Sequence, residues 1–270
     1  MSFGPNPWQQ QNWDWRAACN FMCGGAGAGL IVFAALAGAP RWMLALGVAL
    51  IGLGLLAVWA EIGRPWRAVN VLFNARTSWM TREALVAPLV VAAAALAWLG
   101  VSVANPVAAL LALAFVYCQA RIVQACRGIP AWREPSLVPL LVATGLAEGG
   151  ALLLLPAVPV GRAVWLGFAL ALLARLVAWG VWRRRIEVVP RALAAIDAAG
   201  QVFKASSLLA LVVALSAMSV PQALAVTLQV AAGLLAVGGG LWFKYTLITR
   251  AGFNQGFALA HLPVRAARRG

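Results

Sequence analysis

The sequence contains very few residues of the types that bind haem or metal clusters. It has one histidine, His261, and four cysteines, Cys19, Cys23, Cys118 and Cys126. A b-type haem held by two axial histidines therefore cannot be built within this chain, and there is no C-x-x-C-H motif for covalent haem attachment. No two cysteines form a C-x-x-C motif, and no segment resembles an iron–sulfur or zinc ligand set. We expect a chain without haem, iron–sulfur cluster or metal site of its own.

Charge is also scarce. Charged residues make up 10% of the 270 residues, only seven of them are acidic, and 63% of the chain is hydrophobic. A soluble domain of this size needs far more polar surface, so the composition predicts an integral membrane protein. The apolar runs are continuous rather than alternating, which favours helices over a barrel. Segments of about 20 residues, the length that crosses a bilayer, predict an all-α bundle of eight spans: 17–38, 42–61, 84–104, 106–126, 137–157, 162–182, 203–220 and 222–245.

The chain is predicted to be one transmembrane domain over 1–270, with no soluble domain. Residues 1–16 form a tryptophan-rich interfacial tail, which lacks the basic region of a signal peptide, and residues 246–270 form a basic C-terminal tail. Asn105-Pro106 predicts a tight turn between spans 3 and 4.

Basic residues are distributed unequally between the two sides of the predicted bundle. Most of the 21 lysines and arginines lie in the tails and in the 2–3, 4–5 and 6–7 connections, whereas the connections on the opposite side contain only Arg41 and Arg162. The positive-inside rule then places both termini in the cytoplasm. A basic face that docks an acidic protein partner would explain the same pattern, and in that case the orientation could be the reverse.

Two charged residues lie well inside predicted spans. Glu148 is about halfway along span 5, and Arg175 is about two-thirds of the way along span 6. Charges at this depth are costly and usually have a partner or a function. Either the two form a buried ion pair or they belong to a proton path.

The densest polar segment is 61–84, EIGRPWRAVNVLFNARTSWMTREA, between spans 2 and 3. Glu61, Arg64 and Arg67 recur at intervals of three, and tryptophans flank them. A carboxylate beside guanidinium groups at the membrane edge is the environment that a quinone head group requires, with hydrogen-bond donors and a group that exchanges protons. An ordinary basic loop with an aromatic belt is the alternative.

This segment resembles the membrane-anchor subunits of the DMSO reductase and polysulfide reductase type, the DmsC/NrfD-like family. In that family span 2 ends in His or Glu, followed by Gly-x-Pro-x-Arg-Ala and a short loop that ends in a glutamate at the start of span 3. Here 61–68 reads EIGRPWRA and 77–83 reads TSWMTRE, while GIPAWREP at 128–135 and RAGFNQGF at 250–257 resemble the family's short Pro–Trp loop and closing segment. The glutamate at 61 departs from the histidine of the DMSO reductase branch.

The resemblance implies a haem-free anchor that exchanges electrons between the membrane quinone pool, ubiquinone or menaquinone, and a ferredoxin-like iron–sulfur subunit. A molybdopterin subunit bound through it would carry the active site for the organic substrate, as in anaerobic respiration. The family's key quinone position corresponds to Glu61, which would be the catalytic residue. The quinone-binding residues would be Asn20, Glu61, Arg64, Arg67, Trp79, Tyr117, Gln119 and Arg121. The basic face would dock the partner through Arg76, Arg82, Arg127, Arg133, Arg183, Arg184 and Arg185.

These features together predict the anchor of an oxidoreductase complex in the bacterial cytoplasmic membrane, in contact with lipid and not with nucleic acid. With the termini inside, the catalytic subunits would face the cytoplasm, which would suit a substrate such as a CoA thioester. Two other hypotheses remain. One is a secondary transporter with a midplane site at Glu148 and Arg175. The other is a purely structural anchor whose polar hinge grips a partner.

Overall fold

The computed structural model describes residues 4–62, 65–156 and 160–257. It confirms the all-α prediction: the described residues contain α-helices and one 3₁₀ segment but no β-strand. Eight of the helices are long and apolar enough to cross a membrane, as in a multi-pass membrane protein. They are α1 Trp15–Ala37, α2 Trp42–Glu61, α3 Trp79–Trp98, α4 Ala104–Gln124, α6 Leu137–Leu154, α7 Arg162–Arg185, α8 Pro190–Ala217 and α9 Gln222–Thr249, with the 3₁₀ segment Pro65–Phe73 before α3 and the short α5 Pro130–Arg133 before α6.

Helices α3 and α8 begin five or more residues earlier than hydropathy predicts, because local capping rather than apolar length decides where they start. The hydroxyl of Ser78 accepts a hydrogen bond from the amide of Thr81 at 3.3 Å, so α3 begins at Trp79 instead of 84. Pro190 occupies the first turn of α8, where its fixed φ favours a helix, so α8 begins 13 residues before the predicted 203. Most of the predicted basic connection between spans 6 and 7 is therefore helical.

The predicted turn at Asn105-Pro106 is wrong. Both residues lie in the first turn of α4, where a proline is tolerated because the first amides have no helical partner. The chain turns instead at 99–103, and Gly100 has a φ of 96°, which a residue without a Cβ adopts at little cost.

Helix α1 lies at the centre of the bundle and packs against α2, α4, α6 and α9. Its glycine-rich middle part lets neighbouring backbones come very close. A Cβ built on Gly149 of α6 would overlap backbone atoms of Gly29 and Leu30, and one on Gly29 would overlap the carbonyl of Gly145. The two helices therefore meet backbone to backbone.

We use the term polar end for the end of the bundle where α1, α3, α6 and α8 begin and α2, α4, α7 and α9 end. Both described terminal segments are joined there. The amide of Gly4 donates to the carbonyl of Gln255 at 2.8 Å, and the amide of Gln10 donates to the carbonyl of Gly252 at 2.8 Å. The indole of Trp132, in α5, donates to the carbonyl of Leu247 at 3.0 Å and fixes α5 against the end of α9.

The crossing of α1 and α6 generates the first prediction. In Gly149→Ala, the added methyl group would overlap backbone atoms of α1 that cannot shift without moving the helix. Such overpacking typically lowers the free energy of unfolding by about 1–3 kcal/mol. We expect a clear loss of thermal stability in detergent, measured by fluorescence-detected size-exclusion chromatography after heating. Gly52→Ala is the matched control, because nothing lies within 4 Å of a Cβ at that glycine. Equal stability of the two variants would contradict the packing described here.

Candidate functional site

Three buried polar residues from three helices meet near the polar end, and we call them the amide–carboxylate cluster: Asn20 of α1, Glu83 of α3 and Gln119 of α4. The Gln119 side-chain amide donates to the backbone carbonyl of Asn20 at 3.1 Å and lies 3.5 Å from its side-chain oxygen. Both side-chain amides lie against the Glu83 carboxyl group. The cluster thus combines two neutral amides with one acid inside an apolar bundle.

Helix geometry explains why these residues meet. Each lies about four or five residues from the polar end of its helix, which at 1.5 Å per residue is a depth of roughly 6–8 Å. Small neighbours leave the necessary space. A Cβ at Gly54 of α2 would lie 3.1 Å from the Asn20 side-chain oxygen, and one at Gly24 would overlap the Gln119 side chain.

The cluster has unused hydrogen-bonding capacity. Within the described residues, Oε1 of Glu83 and Oε1 of Gln119 are buried and have no hydrogen-bond partner. Buried polar atoms of this kind are normally satisfied by water or a ligand, because leaving them unpaired costs free energy. The arrangement is therefore suited to hydrogen bonding with a polar head group.

Beside the cluster, aromatic rings and arginines stack in what we call the aromatic–arginine wall: Trp79, Arg82, Tyr117 and Arg121. The guanidinium groups of Arg82 and Arg121 lie 4.0 and 4.4 Å from the Trp79 ring centroid. Trp79 meets Tyr117 edge-on at 5.6 Å, and Arg121 donates to the Tyr117 hydroxyl at 2.9 Å. Trp79 precedes Glu83 by one helical turn, so the wall and the cluster lie on neighbouring parts of α3. Tyr117 is 39% exposed, which puts the wall at the bundle surface.

Glu61 is half-buried at the last residue of α2, at the polar end, and the charged groups that act on it belong to the start of α1. Arg16 donates to the carbonyl of Ala60 at 3.3 Å and to the carboxylate of Asp14. The hydrogen bond from Arg16 lowers the pKa of Asp14, so Asp14 stays ionised near Glu61. Of the predicted neighbours, Arg67 is exposed in the 3₁₀ segment and makes no ion pair with Glu61, and Arg64 lies outside the described residues.

A second buried group, which we call the interior charge cluster, consists of Glu148 of α6, Arg175 of α7 and Lys244 of α9. Of the two alternatives left open for Glu148 and Arg175, a direct ion pair between them is not found among the described residues. The carboxylate pairs with Lys244, whose ammonium group also donates to the carbonyl of Phe21 at 3.0 Å. Arg175 donates to the carbonyl of Ala236 at 2.9 Å and lies 5.0 Å from the Phe203 ring, close enough to act electrostatically on Glu148.

Three of the predicted docking arginines meet in one open cleft of about 530 Å³ at the polar end. Arg127, Arg133 and Arg185 line this docking cleft together with Glu134 and Glu187. Arg76 and Arg184 are exposed elsewhere on this end. Two further predicted docking residues have partners within the chain: Arg183 binds Asp197 through two bonds of 2.6 and 2.8 Å, and Arg82 donates to the carbonyls of Ala75 and Arg76.

Two buried residues of these clusters, Glu83 and Lys244, are not among the site residues that the sequence predicts. Glu83 enters the prediction only as part of the family motif. A signal for Lys244 existed, since it is one of two lysines in the chain and falls inside the predicted span 222–245. Within the described residues, no group of three or more histidine, cysteine, aspartate or glutamate side chains is arranged to hold a metal ion.

The interior charge cluster generates the second prediction. Glu148→Gln leaves two buried cations without a carboxylate, and breaking a buried pair typically costs about 3–5 kcal/mol. We expect strongly reduced folded yield and thermal stability in detergent. Asp197→Asn, which breaks the partly exposed pair with Arg183, is the control and should cost less than about 1 kcal/mol. If folded yield and thermal stability fall by similar amounts in both variants, the burial of Glu148 does not determine how much its ion pair contributes to stability.

No protein-family model and no curated protein sequence matches this chain.

Proposed function

We propose that this protein is the haem-free, quinone-reactive membrane anchor of a multi-subunit oxidoreductase in the bacterial cytoplasmic membrane. In this proposal it exchanges electrons between the quinone pool and a ferredoxin-like iron–sulfur subunit, which in turn binds a molybdopterin catalytic subunit. The observation that carries the proposal is the buried amide–carboxylate cluster beside the aromatic–arginine wall. Five of the residues predicted from the sequence to bind quinone, Asn20, Trp79, Tyr117, Gln119 and Arg121, belong to these two groups.

The chemistry of the cluster suits a quinone head group. Reduction of a quinone to a quinol takes up two electrons and two protons, so a site for it needs hydrogen-bond donors at the ring oxygens and a group that exchanges protons. The Glu83 carboxyl group, in its protonated form, can donate to a ring oxygen and give up its proton there, and the amides of Asn20 and Gln119 hold that carboxyl group in position. The Trp79 and Tyr117 rings provide an apolar surface on the lipid side.

In this proposal Glu83 exchanges a proton directly with the bound head group. Glu61, nearer the polar end, exchanges protons between Glu83 and the aqueous phase. The two carboxyl groups then act at different depths in one reaction. Glu83 orients and protonates the head group, and Glu61 transfers protons between the site and bulk water.

The docking cleft supports a protein partner on the same face. Three arginines in one concave surface favour contact with acidic side chains. Because the positive-inside rule assigns this end to the cytoplasm, the iron–sulfur and catalytic subunits would lie there, with both termini of the chain.

The third prediction distinguishes the role of Glu83 from that of Glu61. In the purified complex, Glu83→Gln removes the inner proton-exchanging group, and loss of such a group typically lowers a rate about 10²–10⁴-fold. We expect quinone-linked turnover to fall by that factor while turnover with an artificial dye is unchanged, because the dye bypasses the site. Glu61→Gln should also lower quinone-linked turnover alone, but a small permeant weak acid should restore it by carrying protons to Glu83.

The possible results for the two acid variants and their control distinguish the three hypotheses. Arg162→Gln, an exposed position at the opposite end of the bundle, should leave both activities unchanged. Loss of assembly in either acid variant would indicate a docking role for the hinge, as in the structural-anchor hypothesis. Unchanged quinone turnover in both acid variants would contradict the proposed site and favour the transporter hypothesis, for which the interior charge cluster would be the starting point.

The fourth prediction concerns the partner. Reversing charge in the docking cleft with Arg127→Glu and Arg133→Glu should abolish co-purification of the iron–sulfur subunit, since like charges across an interface cost several kcal/mol. Arg162→Glu, an exposed arginine at the opposite end of the bundle, is the matched control and should leave assembly intact. Co-purification that survives the double reversal but not the control would place the partner on the other side.

A further inference from the structure

The aromatic–arginine wall concentrates positive charge without an acidic partner. The guanidinium groups of Arg82 and Arg121 lie 4.0 and 4.4 Å from the Trp79 ring centroid, so they are separated by no more than the sum of these two distances. None of the ion pairs among the described residues involves either arginine. Glu83 is the one acidic residue of α3 and α4, and its carboxyl group lies against the side chains of the amide–carboxylate cluster instead. The wall thus carries two positive charges that an anion from outside the chain would balance.

Both guanidinium groups are held in place and keep donors for a ligand. Arg82 donates through Nε and Nη2 to the carbonyls of Ala75 and Arg76, at 2.8 and 2.9 Å. Arg121 donates through Nη1 to the Tyr117 hydroxyl, whereas its Nε is buried and has no hydrogen-bond partner among the described residues. A guanidinium group has five N–H donors, so each arginine has N–H groups that these contacts do not use. Fixed donors of this geometry suit the oxygen atoms of a phosphate group.

The wall lies at the depth of phospholipid head groups. Helices α3 and α4 have 20 and 21 residues, which is about the length that crosses the hydrocarbon core of a bilayer. Arg82 follows the first residue of α3 by three positions, and Arg121 precedes the last residue of α4 by three positions. At about 1.5 Å per residue, both therefore lie roughly 4–5 Å from the end of their helix.

Exposed leucines continue the wall towards the middle of the bundle. On α3 they follow Arg82 by three and seven residues, and on α4 they precede Tyr117 by four and seven residues, so each pair lies on the same helix face as its wall residue. They are Leu85 and Leu89 of α3, which are 43% and 54% exposed, and Leu113 and Leu110 of α4, which are 39% and 68% exposed. A molecule with a phosphate at the wall and hydrocarbon chains below it would contact both parts.

The wall arginines and the amide–carboxylate cluster use different faces of the same two helices. Arg82 is adjacent to Glu83, and Arg121 follows Gln119 by two residues. Side chains one or two positions apart on a helix do not face each other. A ligand held by the arginines therefore does not need the groups assigned above to the quinone head group.

We propose that the aromatic–arginine wall binds the phosphate group of one anionic phospholipid, whose acyl chains lie along the exposed leucines of α3 and α4. Arg82 and Arg121 donate to the phosphate oxygens, and basic pockets of this kind between transmembrane helices bind anionic head groups. A zwitterionic lipid brings a cation of its own, for which the wall has no carboxylate. The proposal does not depend on the function proposed above.

The test measures lipid binding to the full-length chain, purified in detergent and freed of co-purified lipid. The chain is titrated with phosphatidylglycerol, and native mass spectrometry counts the bound molecules; we expect one that is retained tightly. In the double variant Arg82→Gln/Arg121→Gln, affinity should fall at least about tenfold, since each arginine provides a charge-assisted hydrogen bond. Arg41→Gln/Arg162→Gln removes two exposed arginines at the opposite end of the bundle and should bind like the wild type.

Further probes identify the source of the phosphate. Phosphatidylcholine should bind at least about tenfold more weakly than phosphatidylglycerol, because its head group has no net charge. Inorganic phosphate at the same concentration should not displace phosphatidylglycerol, because it has no acyl chains to contact the leucines. Displacement by inorganic phosphate would show a site for free anions and overturn the lipid assignment. Equal affinity for the two lipids, or equal losses in the two double variants, would overturn it as well.

A second measurement covers the case in which Arg82→Gln/Arg121→Gln does not fold. Phosphatidylglycerol with a photoreactive group in one acyl chain is cross-linked to the wild-type chain, and the modified peptides are mapped by mass spectrometry. Saturable cross-links should fall within 79–89 of α3 and 110–121 of α4. The absence of saturable cross-links in these two segments would overturn the proposal.

Discussion

The close approach of α1 to its neighbours is the constraint on which the rest of the structure depends. Helix α1 has glycines at 24, 25, 27 and 29, which let the backbones of α2 and α6 come very close and leave room for side chains from α4 and α9. In a bundle surrounded by lipid there is no hydrophobic gain from bringing apolar helices together, so packing and polar contacts have to hold them. The glycines provide both, because they allow dense packing and leave room for the long polar side chains of Gln119 and Lys244 to reach the α1 backbone.

Hydropathy was sufficient to predict the class of fold and the number of spans, because the cost of exposing polar groups to lipid acts on whole segments. It could not predict where helices begin. Ser78 and Pro190 start α3 and α8 through capping and φ restriction, and both of these are local effects that an average over 20 residues hides. The turn after α3 was misplaced for a related reason: Asn105-Pro106 has the composition of a turn but is equally compatible with the first turn of a helix.

The grouping of residues in the candidate site could not be predicted from the sequence, for a different reason. Spacing along the chain suggested that Glu61 and Arg67 would be neighbours, but residues at such intervals remain neighbours only while the helix continues, and α2 ends at Glu61. What brings Asn20, Glu83 and Gln119 together is equal depth on three helices, and a single sequence records depth only indirectly. The pairing of Glu148 with Lys244 rather than Arg175 has the same origin. It depends on how α6, α7 and α9 are rotated, which hydropathy does not specify.

The joined terminal segments also bear on how this protein is made. Residues 4–10 form hydrogen bonds with 252–256, which follow the last transmembrane helix, and Trp13 stacks on Trp132 of α5 at 5.0 Å. These backbone bonds of residues 4–10 therefore cannot form until α9 and the segment after it are in place. The ends of α1 and α9 are thus fixed to each other only once the helices between them have assembled.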